Sequence, residues 1–187
     1  MRRTFIVASI SLLLALPALA AEVGGVKLDD KISLGGKELV LNGAGIRTKL
    51  VFKVYVASLY LPAKAGDLGG VLAGNPRRVQ LNLLRDLSAD ELAGALADGI
   101  KDTSSAEQAA AVKSQTDQLL SIMKSVGQAK TGDVVTMDLI NGETRIAFNA
   151  QPKGSIAGEP FNAALMRIWL ADKPVQADLK KAMLGGT

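Results

Sequence analysis

Cysteine and histidine are both absent from the 187-residue chain. Without cysteine no disulfide can hold the fold and no thiolate can act as a nucleophile. Without histidine, imidazole-based triads and the usual zinc and haem ligand sets are excluded as well. Any catalysis would fall to Arg, Lys, Tyr, Ser, Thr, Asn or carboxylates. No metal site and no cofactor are expected. Asp29-Asp30 lacks the ligand spacing of a calcium loop. Gly43-Ala44-Gly45 lacks the further glycine, or the Gly-Lys-Ser/Thr, that makes a phosphate-binding loop. Aromatic residues are only 4% of the chain, and no basic stretch is interleaved with them, so nucleic acid is not an expected partner. The charge excess is small, 22 Lys and Arg against 18 Asp and Glu.

What is present begins at the first residue. Met1, Arg2 and Arg3 form a short positive region, and Phe5 to Leu16 is an apolar run. That run is too short to cross a bilayer as a helix of about 20 residues. Pro17 breaks it, and Ala18-Leu19-Ala20 supplies the small-x-small pattern of a signal peptidase site. Residues 1–20 therefore read as a cleaved Sec-type signal peptide, with the cut between Ala20 and Ala21 and the periplasm as destination. A retained N-terminal membrane anchor is the competing reading. Residues 21–187 then form one domain, whose balance falls to 20 basic against 18 acidic residues once Arg2 and Arg3 are removed. No later segment approaches 18 uninterrupted apolar residues, so this domain is not expected to span a membrane.

The pattern of the domain is strands, helices, a hairpin, then helices. Val26 to Leu41 reads as one or two short strands with Gly35-Gly36 as a turn, and Asn42 to Gly45 as a bend. Ile46 to Leu61 is the richest β stretch. It is long for one straight strand, so a bend or bulge is expected near Lys49 to Phe52. Arg77 to Leu84 is a further strand with Val79, Leu81 and Leu83 on one face. Ser88 and Glu91 make a capping box for a helix from Ala89 to about Lys101. A second helix is predicted from about Ala106 to Val126, its Leu119, Ile122, Met123 and Val126 on one face. Asp133 to Ile140 and Glu143 to Ala150 alternate around Asn141-Gly142, a strong hairpin signal. Helices over Glu159 to Leu170 and Val175 to Leu184 close the chain, with Pro174 opening the last. The fold class is α+β, an antiparallel open-faced β-sheet with a helical layer packed on one face. A space between sheet and helices would suit an elongated apolar ligand.

The block Leu41 to Pro62, LNGAGIRTKLVFKVYVASLYLP, resembles the chalcone isomerase family. That family carries a Gly-Ala-Gly-aliphatic-Arg turn, here Gly43 to Arg47, and a strand ending in aliphatic-Tyr-Leu, here Leu59-Tyr60-Leu61. The stretches Ile156 to Phe161, Ile168 to Pro174 and Asp178 to Lys181 are similar to its bacterial, periplasmic branch. The resemblance implies the family's open-faced sheet under a helical layer. Family enzymes close a chalcone into a flavanone. Their arginine stabilises an anionic oxygen, and a threonine and a tyrosine bind a water that polarises the ketone. Arg47 matches the arginine, and the threonine position falls on Tyr55. The helix that carries the family's tyrosine and asparagine corresponds to Ser88 to Lys101, which contains neither. One catalytic element alone is retained, so no catalytic residue is assigned.

Other members of the family pair an arginine with a tyrosine and bind fatty acids. The resemblance thus implies a non-catalytic periplasmic binding protein for a fatty acid or similar amphipathic carboxylate, with Arg47 and Tyr55 as ligand-binding residues. A guanidinium offers a carboxylate two parallel hydrogen bonds, and a Tyr hydroxyl can add a third. Two alternatives stand beside it: an isomerase-type intramolecular lyase acting on a flavonoid-like enone, and an envelope protein-interaction module. Plainer roles are also open. Arg47 can pair with Asp86 or Glu143, Tyr55 can be strand packing, and Tyr60 and Trp169 can be core. Asn162 and Lys53 are secondary cleft candidates. Arg77-Arg78 and Lys180-Lys181 read as solvated charge.

Overall fold

The computed structural model describes residues 21–186; the signal-peptide reading falls outside them. The chain opens with a small hairpin, β1 (Ala21–Val23) and β2 (Val26–Leu28), turned by Gly24 and Gly25 at positive φ. A seven-stranded antiparallel sheet follows. Its strands are β3 (Lys31–Leu34), β4 (Lys37–Lys49), β5 (Phe52–Leu61), β6 (Arg77–Leu83), β9 (Val134–Ile140), β10 (Glu143–Phe148) and β11 (Gln151–Ala157). Their spatial order is β11-β10-β9-β6-β5-β4-β3. Between β6 and β9 lie the two-residue strands β7 (Leu87–Ser88) and β8 (Gln128–Ala129), which pair with each other. Six helices complete the described residues: α1 (Leu68–Ala73), α2 (Ala89–Thr103), α3 (Ala106–Ala111), α4 (Lys113–Lys124), α5 (Glu159–Leu170) and α6 (Ala177–Met183). This is the expected antiparallel sheet with a helical layer on one face. No helix among the described residues is long and apolar enough to cross a membrane.

Alternation builds the core. Val79, Leu81 and Leu83 of β6 and Ala57, Leu59 and Leu61 of β5 point to the helical side and are fully buried. Each of the larger side chains contributes about 1.5–3 kcal/mol relative to exposure. Leu92, Leu96 and Ile100 of α2 and Leu165, Ile168 and Trp169 of α5 close over them. Ser88 accepts from Glu91 N–H and the Glu91 carboxylate accepts from Ser88 N–H, so the predicted capping box starts α2. Asn141 and Gly142, both at positive φ, turn the β9–β10 hairpin as expected. On the opposite face a smaller cluster joins Leu34, Leu39 and Tyr60.

Several boundaries differ from the sequence reading. The β-rich stretch Ile46 to Leu61 is a hairpin rather than one bent strand. β4 ends at Lys49, Leu50 turns at φ 56°, and β5 begins at Phe52. Asn42 to Gly45 is not a bend but the middle of β4, with a bulge between Leu41 and Gly43. The helix expected over Ala106 to Val126 breaks at Val112, whose φ of −111° and ψ of 14° leave the helical region. Helix α6 begins at Ala177, with Gln176 at its N-cap position but no side-chain cap, so Pro174 precedes it rather than opening it. Strand β11 was not anticipated: Pro152, Lys153 and Gly154 hide its alternation. It survives as a sheet edge, where the missing proline N–H costs no ladder bond to a second neighbour.

Candidate functional site

The bulge at Asn42 decides where Arg47 points. Leu39 and Leu41 of β4 face the smaller cluster on the outer side of the sheet. Past the bulge, Gly43 pairs with Leu59, Gly45 with Ala57 and Arg47 with Tyr55, all partners on the helical side. One inserted residue therefore turns the odd-numbered positions from the outer to the inner face. The Asn42 side chain holds the bulge: its amide donates to Ala65 O (3.0 Å) and Met183 O (2.8 Å) and its oxygen accepts from Ala65 N–H (2.8 Å). The glycines then admit α6. A Cβ on Gly43 would stand 2.1 Å from Ala182 O, and one on Gly45 would stand 2.8 Å from Ala182 Cβ. Helix α6 thus lies directly on the backbone of β4, with its N-terminus beside Arg47.

Arg47 is half-buried and meets only neutral groups. Its Nη1 donates to Thr48 O (2.9 Å), Val175 O (3.2 Å) and Gln176 Oε1 (3.3 Å). Gln176 completes the clamp by accepting from Thr48 N–H (2.8 Å) and donating to Ile46 O (3.1 Å). The pairings with Asp86 or Glu143 weighed from sequence do not occur. Asp86 accepts from Thr131, and Glu143 accepts from Arg145. Among the described residues no carboxylate lies within ion-pair distance of Arg47.

Tyr55 is buried opposite Arg47 across the strand pair. Its hydroxyl accepts from Trp169 Nε1 at 3.1 Å. Burial pushes the phenol above its ordinary range, against the smaller opposing effects of Trp169 and of the Arg47 charge. The hydroxyl is therefore neutral at physiological pH and keeps its own proton to donate. Trp169 is core, as expected, but it also orients this hydroxyl.

Arg47 and Tyr55 share the lining of a cavity of about 240 Å³ between β4–β5, α2 and the α5–α6 connection. Leu92, Leu96, Ile168 and Val175 supply apolar walls. The cavity adjoins an outer groove of about 470 Å³ that shares Tyr55, Val54, Leu92 and Ala95 and runs toward the tip of the β4–β5 hairpin. Together they match the size of ordinary small-molecule sites, roughly 300–1,000 Å³. Asp98 and Asp102 stand on the exposed rim of the inner cavity. Where the resemblance places a polarising tyrosine and asparagine, α2 has neither: it lines the cavity with Leu92, Ala95, Leu96 and Gly99 and brings Asp98 and Asp102 to the rim.

The remaining candidates lie elsewhere. Asn162 is buried away from the cavity, bonded to Arg77 and Thr144, and Lys53 is exposed. Arg77 is not solvated charge but 1% exposed. Arg78 donates from Nε and Nη2 to the two carboxylate oxygens of Asp138, each at 2.6 Å. Sequence reasoning missed Asn42, Gln176 and the apolar wall of α2. The α2 wall had a signal, the spacing of Leu92, Leu96 and Gly99, but nothing in the sequence said which cavity it faced.

Known proteins supply the remaining context. The fold matches the crystal structure of the Arabidopsis thaliana fatty-acid-binding protein AtFAP1 with a TM-score of 0.67 at 10% identity, over 86% of this chain and 92% of that one. No curated protein sequence matches the chain. The sequence profile of the chalcone isomerase-like family matches residues 20–185, nearly the whole chain. With the bulged, glycine-bearing strand and the helix-covered sheet, that match places this protein in the chalcone isomerase-like family.

Proposed function

We propose that this protein is an exported, non-catalytic binding protein for a fatty acid or a similar amphipathic carboxylate. The observation that carries the reading is a guanidinium with no carboxylate partner in a cavity walled by Leu92, Leu96, Ile168 and Val175, whose acidic lining residues, Asp98 and Asp102, stand on the exposed rim. A ligand carboxylate would complete Arg47, and the neutral Tyr55 hydroxyl would donate a further hydrogen bond. The acyl chain would follow Val54, Leu92 and Ala95 into the outer groove. Burying about ten methylenes at ~0.8 kcal/mol each gives a gross ~8 kcal/mol before association costs, which supports micromolar binding. The name of AtFAP1 supports the same ligand class. The apolar face of α2 supports the non-catalytic half, since it offers no donor to hold a polarising water.

Isothermal titration with lauric acid and methyl laurate tests the anchor. Arg47→Ala should lose roughly 2–4 kcal/mol for the acid, and Tyr55→Phe about 1 kcal/mol. The ester keeps the tail without the anion. It should bind the wild type more weakly than the acid does, and Arg47→Ala about equally. Equal affinity of acid and ester for the wild type would remove Arg47 from the role. Chalcone cyclisation at a plant enzyme's rate would overturn the non-catalytic half.

A further inference from the structure

The tip of the β4–β5 hairpin projects three large apolar side chains into solvent. Leu50 is 89% exposed, Val51 84% and Phe52 54%, and these are the exposed large hydrophobic residues among those described. Basic residues surround them. Lys49 and Lys53 flank the tip in sequence, and the Arg85 guanidinium lies 5.0 Å from the Phe52 ring centroid. The tip also stands at the open end of the outer groove, whose lining includes Lys49, Phe52 and Arg85. The acidic residues in the lining of that groove are Asp90 and Glu91, in the first turn of α2, and Asp98, two turns further along and away from the tip in sequence; Glu91 is engaged by Ser88 in the capping box.

We infer that this hairpin tip docks the protein on an anionic lipid surface, so that the cleft opens toward the bilayer. Two observations favour a membrane over a protein partner. Three residues at the end of a hairpin are far fewer than the roughly 20–30 residues a side that a stable protein interface uses. An apolar point ringed by Lys49, Lys53 and Arg85 complements a surface whose interior is apolar and whose headgroups are negative. The tip is also placed for the task. A fatty acid partitioned in a leaflet would leave it tail-last beside Phe52 and travel along Val54 and Leu92 toward Arg47. This last step rests on the proposed carboxylate-binding role; the docking itself does not.

Sedimentation with sucrose-loaded vesicles of phosphatidylcholine alone, or mixed with phosphatidylglycerol, separates the two. Ligand-free wild-type protein should partition at least about tenfold more strongly onto the anionic vesicles at low salt, and this preference should fall at high salt. The double variant Leu50→Asn, Val51→Ser should lose about tenfold of that binding. Asparagine tolerates the positive φ of residue 50, so the turn should remain. Lys53→Gln with Arg85→Gln should abolish the anionic preference and leave the apolar tip in place. Far-UV circular dichroism should match wild type in the tip variant, and lauric acid titration in vesicle-free solution should match wild type in Val51→Ser alone, whose side chain lines neither the cavity nor the groove, while uptake of a fluorescent fatty acid from vesicles slows in the double variant. Failure of laurate binding with vesicle docking intact would strike the functional reading alone. Absence of vesicle binding, equal binding by the tip variant, or tip-dependent self-association in analytical ultracentrifugation would overturn the docking.

Discussion

Two arginines of the sheet, on β4 and on β6 with β5 between them, carry opposite assignments, and their surroundings explain why. Arg47 meets three neutral acceptors from one nitrogen, whereas Arg77 is fully engaged. Arg77 Nε donates to Asn162 Oδ1 (2.8 Å), Nη1 to Leu72 O (2.8 Å) and Gly74 O (2.9 Å), and Nη2 to Glu159 Oε1 (2.6 Å). It ties β6 to the end of α1 and the start of α5. Arg77→Ala should cost about 2–4 kcal/mol, since it leaves Asn162 Oδ1 and the carbonyls of Leu72 and Gly74 without a donor, while the half-exposed Glu159 carboxylate returns to water. The loss should appear as a lower urea midpoint with an unchanged slope; a midpoint equal to wild type would show the network to be dispensable. Laurate affinity of the folded variant should not change, because Arg77 and the Tyr55 partner Leu83 are separated by six residues of strand, about 20 Å. The sequence did hold a clue to Arg77. Its alternation puts it on the same face as Val79, Leu81 and Leu83, the buried face of β6. The adjacent Arg78 masked it by making the pair read as surface charge. Arg47 was legible only through the motif around it, because no periodicity distinguishes a cleft arginine from an exposed one.

Among the elements, the unit formed by β4 and α6 sets the site. The sequence reading makes the glycines at 43 and 45 part of a bend, whereas they lie within β4 and serve close backbone approach. A glycine pair two residues apart in a strand clears one face for a helix. The sequence shows the glycines but not the helix more than a hundred residues later. Adding a methyl at Gly43 would drive it into the carbonyls of Ala182 and Met183, which are backbone and cannot rotate away. Gly43→Ala should destabilise by at least about 1–3 kcal/mol. It should also weaken laurate binding, since Gln176, at the N-cap position of α6, holds Arg47. Gly94 of α2 is the contrasting case: nothing lies within 4 Å of a Cβ built there. Gly94→Ala should raise stability by about 0.5–1 kcal/mol through helix propensity alone. Thermal melts of the two variants check both signs. A neutral Gly43→Ala would mean that α6 packs less closely than these distances indicate. Helices α2 and α5 are legible because Ser88 and Glu91 cap the first and an apolar stripe marks both, whereas the short α1, which buries Val71 alone, offers no such pattern and is not foreseen from the sequence. The split between α3 and α4 is not legible, because the alanines at 109–111 favour helix right up to the break and no proline or glycine marks it.

At the scale of the molecule, the proposed export has a simple test. The expected cut between Ala20 and Ala21 falls at the first residue of β1, so cleavage there would take nothing from the described fold. The abundant form in the native host should begin at Ala21 and be released by osmotic shock. Recovery of protein beginning at Met1 would refute the cleavage. Overall architecture was legible because the order of strand and helix patterns admits few arrangements, while the sheet's last member escaped notice. That strand has a further significance. An open sheet of seven strands must stop twice, and a stopping strand is a template for a second copy of the chain. Here one margin is the four-residue β3, set between Lys31 and Lys37. The other is β11, whose register against β10 slips between Ile146 and Ala147 and whose Pro152 offers no N–H. The irregularities that concealed β11 from a search for alternation also make it a poor seed for polymerisation, because a second copy laid along it meets a broken register and a missing donor.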